Sequence, residues 1–287
     1  MPLRLYQAET VKTYKSVPYI PDADDTQRTL DLYMPVFDTD LPPRATEEPR
    51  PVIVYIHGGA WRTGDKSEYE FLGEQFASSA GVPTAVIGYR LSRRGAPDSP
   101  HHPDHLLDCA NAVAWLRSDE GIAHLGFVAN DIYLVGHSAG ALMSGLLALQ
   151  PHWLENLGGR GLWDAVRGVV GVEGIYDVPS LVAEWPSYQD FIELAFTSDQ
   201  AVWKAGSPQM HSLLAEYFLP DYLVIHSTED ELINTGHAQR YVDHLERQGG
   251  KHVDFDTSVK GRHFEMLREK RFFDVVIKFI EKSQSSR

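Results

Sequence analysis

Six apolar runs, separated by segments of helical periodicity, constrain this chain more than any other feature. They are Pro51–Ile56, Thr84–Tyr89, Ile132–Gly136, Val169–Val172, Tyr222–His226 and Val253–Phe255. A strand buried on both faces reads as a continuous run of branched and aromatic residues, not as an alternation. Helical patterns fall between or after them, over 68–80, 104–118, 139–149, 235–248 and 265–282. Parallel neighbours need a crossover, and the usual crossover is a helix. The rhythm therefore predicts an α/β protein with a mostly parallel, doubly wound sheet. Residues 10–35 alternate polar and apolar, as in Thr29-Leu30-Asp31-Leu32, and predict an antiparallel hairpin ahead of it. The 287 residues suit one large domain, 1–287. The rhythm breaks at 178–220, where short helical pieces carry Trp185, Tyr188, Phe191, Phe196, Trp203, Tyr217 and Phe218. An insertion between two sheet strands at that point is expected to form a helical cap over their carboxyl ends, the edge at which ligands bind in open α/β sheets.

Two glycine motifs sit at strand ends. Gly136-His137-Ser138-Ala139-Gly140 links an apolar strand to the helix-forming run Ala141-Leu142-Met143. A serine on such a sharp strand-to-helix turn is an exposed nucleophile, and the turn needs small neighbours. Ser138 is the candidate nucleophile. His57-Gly58-Gly59-Ala60-Trp61 follows the Pro51–Ile56 run. Its glycines let backbone N–H groups approach a developing oxyanion. Gly58, Gly59 and Ala60 are the candidate donors there, Gly59 or Ala60 foremost, with the N–H of Ala139 as the other half of the hole. His57 reads as a hydrogen-bonding residue of the loop.

A serine needs a base, and the base needs an acid to orient it. His226-Ser227-Thr228-Glu229-Asp230-Glu231 ends a later strand, and Asp230 is the candidate acid, with Glu229 and Glu231 as competitors. Val259-Lys260-Gly261-Arg262-His263 follows the last strand and supplies His263 as the candidate base. The order serine, acid, histidine along the chain suits this arrangement. Other histidines have local readings: His226 and His252 at strand ends, His237 and His244 on a helix face. His101-His102-Pro103-Asp104-His105 lacks a zinc spacing, so no metal site is expected. Arg90 is expected to pair with Asp108 for structural reasons. Cys109 lies among alanines and reads as a small core residue.

Forty acidic residues against 26 basic ones give a net charge of −14. That balance argues against nucleic acid or an anionic membrane as a partner, and leaves a small-molecule substrate. With no signal peptide, no membrane span and a single cysteine, a cytoplasmic location is expected. No phosphate loop or dinucleotide fingerprint is present.

The His-Gly-Gly-Ala-Trp and Gly-His-Ser-Ala-Gly pair resembles the esterase and lipase branch of the α/β-hydrolases. A narrower resemblance is to fungal kynurenine formamidases. It rests on Gly174-Ile175-Tyr176-Asp177, on Leu181-Val182-Ala183-Glu184-Trp185-Pro186-Ser187-Tyr188, on Leu194-Ala195-Phe196 and on His226 through Leu232, in patches from about 52 to 233. The resemblance implies hydrolysis of N-formyl-L-kynurenine to L-kynurenine and formate, with no cofactor or metal. Trp61, Tyr176, Trp185, Tyr188 and Phe191 are then the candidate substrate contacts. The alternative is a general carboxylesterase using the same catalytic residues. A non-catalytic receptor on this fold is disfavoured by the complete catalytic set.

Overall fold

The structure is a computed structural model that describes residues 7–21, 25–37, 50–213 and 216–285. Among these, the strands are β1 (Thr10–Pro18), β2 (Thr29–Val36), β3 (Pro51–Ile56), β4 (Thr84–Ile87), β5 (Asp131–His137), β6 (Val166–Val172), β7 (Asp221–Ile225) and β8 (Val253–Asp256). They form one sheet in the order β1-β2-β4-β3-β5-β6-β7-β8. β1 pairs with β2, and β2 with β4, antiparallel; every other pairing is parallel. The expected hairpin and the expected doubly wound parallel sheet are both present.

The apolar runs are continuous because the sheet is covered on both faces. Along β3, Val52, Val54 and Ile56 enter one core, while Ile53 and Tyr55 enter the other. That is the two-residue period of a strand, with both sides apolar. Helices Asp104–Trp115, Ala139–Leu149 and Thr235–Arg247 fill the first core; Glu70–Ala80 and Lys270–Ser285 fill the second. The helix after β3 and the helix after β4 thus lie on opposite faces. The strand order reverses there, since β4 lies on one side of β3 and β5 on the other. Such a reversal opens a crevice at the carboxyl ends of the two strands. Both glycine motifs emerge at that crevice.

Some elements differ from the periodicity. The pattern over 104–118 stops at Trp115, and a separate helix, Asp119–Leu125, begins at Ser118, whose side chain accepts from the N–H of Gly121. A serine cap there restarts the helix. The pattern over 265–282 divides into a 3-10 turn, Glu265–Arg268, and the helix Lys270–Ser285. Between β6 and β7 the chain forms the short helices Val178–Glu184, Gln189–Phe196 and Gln200–Ala205. Pro186 and Pro208 each start a 3-10 turn among them, since proline suits a first turn and breaks a helix interior. No helix among the described residues is long and apolar enough to cross a membrane.

Candidate active site

Ser138 joins β5 to the helix Ala139–Leu149 with φ 55° and ψ −115°. A non-glycine residue at positive φ is strained and persists only where its surroundings hold it. Here the Ser138 N–H donates to Val172 O at 2.9 Å, and Ser138 O accepts from Ala141 N at 3.0 Å. The flanking glycines answer to crowding. A Cβ on Gly140 would stand 2.0 Å from Ile56 O, and one on Gly136 2.2 Å from Gly140 O. Ala139 opens the helix, whose first amides have no partner within it and carry its positive dipole end.

The loop after β3 abuts this elbow. A Cβ on Gly58 would lie 2.9 Å from Ser138 Cβ and 2.8 Å from His137 Nδ1. Gly59, Ala60 and Trp61 all have positive φ, at 103°, 51° and 58°. The carbonyl of Gly59 accepts from Arg62 N at 3.1 Å and Thr63 N at 3.0 Å, while that of Gly58 accepts from the Tyr89 hydroxyl at 3.2 Å. A trans peptide points its N–H opposite to its C=O. With both carbonyls turned into the loop, the amides of Gly59 and Ala60 face the other way. His57 is stacked on Tyr89 at 4.3 Å, and its Nδ1 lies 2.7 Å from Gly58 O. Burial pushes its pKa down to about 4.

His263 is 1% exposed. Its Nδ1 lies 3.0 Å from Asp230 Oδ2 and 3.2 Å from Glu173 Oε2. Nε2 is left as the ring nitrogen for a reacting group, and the His137 ring of the elbow lies 4.7 Å away. Burial disfavours the imidazolium, but the bonds and charges of Asp230 and Glu173 outweigh that and raise its pKa to about 9. Burial also works against an ionised Asp230, yet His226 and His263 hold it well below the usual carboxylate range. Oδ1 of Asp230 accepts from Leu232 N at 2.8 Å and Ile233 N at 3.1 Å, which secures the side chain.

The two competing acids have other contacts. Glu229 accepts from Gly261 N at 3.1 Å, and Glu231 accepts from His263 N at 3.0 Å. They hold the histidine loop by its backbone and leave the ring to Asp230. Glu173 escaped the sequence reading. Its signal was a lone carboxylate directly after the apolar run Val169–Val172, at the edge where sites form.

The five candidate substrate contacts divide into two groups. Trp185, Tyr188 and Phe191 are half-buried and form a ladder, with ring centroids 5.8 Å and then 5.1 Å apart. Arg62 of the glycine loop lies 5.2 Å over Phe191, and the Tyr188 hydroxyl donates to Leu232 O at 2.9 Å. The ladder thus spans from the loop after β3 to the acid loop. Trp61 and Tyr176 do not join it. Each is 1% exposed; Trp61 packs edge-on against Phe196 at 4.8 Å, and Tyr176 stacks on Tyr241 at 4.0 Å. Both rings pack within the core, apart from this ladder.

The 101–105 histidines spend their rings separately. His105 Nε2 is 2.9 Å from Ser92 Oγ, and His102 stacks on Phe196 at 5.1 Å. Candidate ligand atoms of His137, Glu173 and His263 do lie within 4.8 Å of one another. His137 Nε2 is 2.8 Å from His263 O and His263 Nδ1 faces Asp230, which leaves one ring nitrogen on each histidine. Arg90 grips Asp108 through Nε at 2.8 Å and NH2 at 2.9 Å, and Cys109 is buried.

A mostly parallel eight-stranded sheet with a strained serine at the head of its central crossover is the architecture of the α/β-hydrolases. Solved structures agree on the fold: esterase B from Lactobacillus rhamnosis superposes with a TM-score of 0.73 at 20% identity, over 98% of this chain and 89% of that one. Within that class the chain belongs to the BD-FAE family, whose profile spans residues 31–245. Kynurenine formamidase of Meyerozyma guilliermondii is 31% identical over 222 residues, covering 75% of this chain and 79% of that one. Esterase LipC of Mycobacterium tuberculosis is 28% identical over 256 residues, covering 85% of this chain and 59% of that one. The protein is an enzyme of hydrolase type.

Proposed function

We propose that the chain is a serine hydrolase whose substrate is N-formyl-L-kynurenine. The observation that carries the choice of substrate is the Trp185–Tyr188–Phe191 ladder, an aromatic wall between the glycine loop and the acid loop. An aryl amine leaving group can lie against such a wall. The similarity to kynurenine formamidases supports it.

Ser138 Oγ attacks the formyl carbon while His263 Nε2 takes its proton. The carbonyl oxygen becomes an oxyanion, received by the amides of Ala139 and of Gly59 or Ala60. As the intermediate collapses, the C–N bond breaks and the imidazolium gives its proton to the departing aryl nitrogen. L-Kynurenine leaves and Ser138 carries a formyl ester. His263 then takes a proton from water, the hydroxyl adds to the ester, and formate departs as Ser138 regains its proton.

A small-ester carboxylesterase is the second reading, favoured by the comparable similarity to LipC. A substrate panel separates the two. N-formylkynurenine should exceed formylanilide in kcat/KM, because the amino-acid end contributes remote binding energy. Lengthening the acyl group from formyl to acetyl to butyryl on the same arylamine should lower kcat/KM by about 10-fold or more per step. Turnover of p-nitrophenyl butyrate equal to or better than that of N-formylkynurenine would leave the esterase reading standing.

A further inference from the structure

Glu173 is a buried carboxyl group that the hydrolytic sequence above does not use; burial pushes its pKa up, and the bond and charge of His263 oppose that. It follows β6 directly, is 0% exposed and has φ 46°. Its N–H donates to Ile225 O at 2.9 Å, which ties this strained residue to β7. Oε1 receives a long bond of 3.3 Å from Ser227 N. Oε2 stands 3.2 Å from His263 Nδ1, while Asp230 Oδ2 stands 3.0 Å from the same nitrogen. That nitrogen has one proton, and Asp230 receives it, so Oε2 is left without a hydrogen bond. A buried carboxylate oxygen in that state is costly, and an apolar residue would fill the space without the cost.

We propose that Glu173 is a second acid for His263: a positioning residue that, with Asp230, keeps Nδ1 protonated and the ring oriented, and that takes over when Asp230 is lost. Two loops, one after β6 and one after β7, thus present carboxylates to one imidazole N–H. The titratable surroundings include His137, its ring 4.7 Å from His263, His226, its Nε2 3.2 Å from Asp230 Oδ2, Glu231, which accepts from His263 N at 3.0 Å, and the Tyr176 phenol, whose pKa burial and then the charges of Tyr222 and Glu173 raise. The proposal rests on the reading of Ser138 and His263 as nucleophile and base.

A double-mutant cycle on the full chain tests it, using p-nitrophenyl acetate turnover and the pH dependence of inactivation by a fluorophosphonate. Glu173→Gln alone should cost less than about 10-fold in kcat. Asp230→Asn alone should cost roughly 10- to 100-fold, and the two together on the order of 10⁴-fold. Asp230→Ala checks that no amide donor has forced the wrong tautomer. With Asp230 replaced, loss of Glu173 should also move the acid limb of inactivation down by about one pH unit or more, since the imidazolium then has no anion beside it. An equal cost of Glu173→Gln in both backgrounds, with the acid limb unmoved, would overturn the proposal and leave Glu173 a packing residue. If Glu173→Gln does not fold, Glu173→Asp makes the same comparison. It retracts the charge by one methylene, so it should cost activity with Asp230 replaced and little in the native chain; equal costs again overturn the proposal. Ser138→Ala is the separate control: retained turnover and labelling there would remove the underlying reading, whatever the cycle gives.

Discussion

At the scale of single residues, the site is built from strain and crowding as much as from charge. Ser138 at φ 55° keeps a Cβ in a region that disfavours one. Ser138→Ala should keep the Cβ and the fold while lowering kcat by on the order of 10⁴-fold. Ser138→Gly should be as inactive but more stable than the alanine variant by roughly 1 kcal/mol, because glycine accepts positive φ without strain. Chemical denaturation of the two variants makes the comparison, and an alanine variant as stable as the glycine one would mean the elbow stores no strain. The neighbouring acids show how contacts separate similar side chains. Three consecutive carboxylates, Glu229, Asp230 and Glu231, all reach the histidine loop, yet Asp230 alone of the three meets the His263 ring nitrogen.

At the scale of elements, the cap is held at both ends by loops that carry chemistry. Helix Gln189–Phe196 brings Phe191 beneath Arg62, and the turn before it brings the Tyr188 hydroxyl to Leu232, two residues past Asp230. One aromatic strip therefore links the glycine loop to the acid loop. Removal of a ring that stacks on the leaving group forfeits about 0.5–1.5 kcal/mol beyond its area, or roughly 3- to 10-fold in affinity. Phe191→Ala and Tyr188→Ala should raise KM for N-formylkynurenine by at least that factor. Turnover of p-nitrophenyl acetate should change much less, its ring being smaller and without the amino-acid arm. Equal losses on both substrates would mean that the ladder props up the loops and does not touch the leaving group.

At the scale of the whole molecule, five strands of one sheet bring the parts together. The glycine loop follows β3, the elbow follows β5, and the carboxylates follow β6 and β7; the histidine loop comes after the edge strand β8. Closing these loops over one another buries the ionisable cluster, and burial ties it to pH. The His263 pKa is raised in the folded protein to about 9 from an unfolded value of 6.5. Its imidazolium therefore contributes stability fully below 6.5, and that contribution is lost as pH rises toward about 9. On the proposed mechanism the neutral imidazole is the active form, so activity should rise over the same window in which this stability falls. The acid limb of kcat/KM should lie above 6.5, and the melting temperature of the native chain should drop more between pH 6.5 and 9.5 than that of His263→Gln. A limb at or below 6.5, or parallel melting curves, would show that the carboxylates do not hold the ring charged.

Much of this was readable without coordinates, and the reason is that it is local. A strand buried on both faces must be apolar throughout, so β3, β5 and β6 announce themselves in Pro51–Ile56, Ile132–Gly136 and Val169–Val172. A strand-to-helix turn too tight for a Cβ must carry glycine, so Ser138 stands between Gly136 and Gly140. What neighbours in sequence cannot encode is which distant loops converge. Glu173 and Asp230 are far apart in the chain and meet at one nitrogen because β6 and β7 are adjacent in the sheet. Trp61 and Tyr176 have the composition of a binding surface, and it was packing against Phe196 and Tyr241 that turned them into core. Periodicity and sterics act over a few residues and are legible there; the choice of partner for a buried charge or ring depends on what the folded sheet brings within 4 or 5 Å, and the tertiary structure alone decides it.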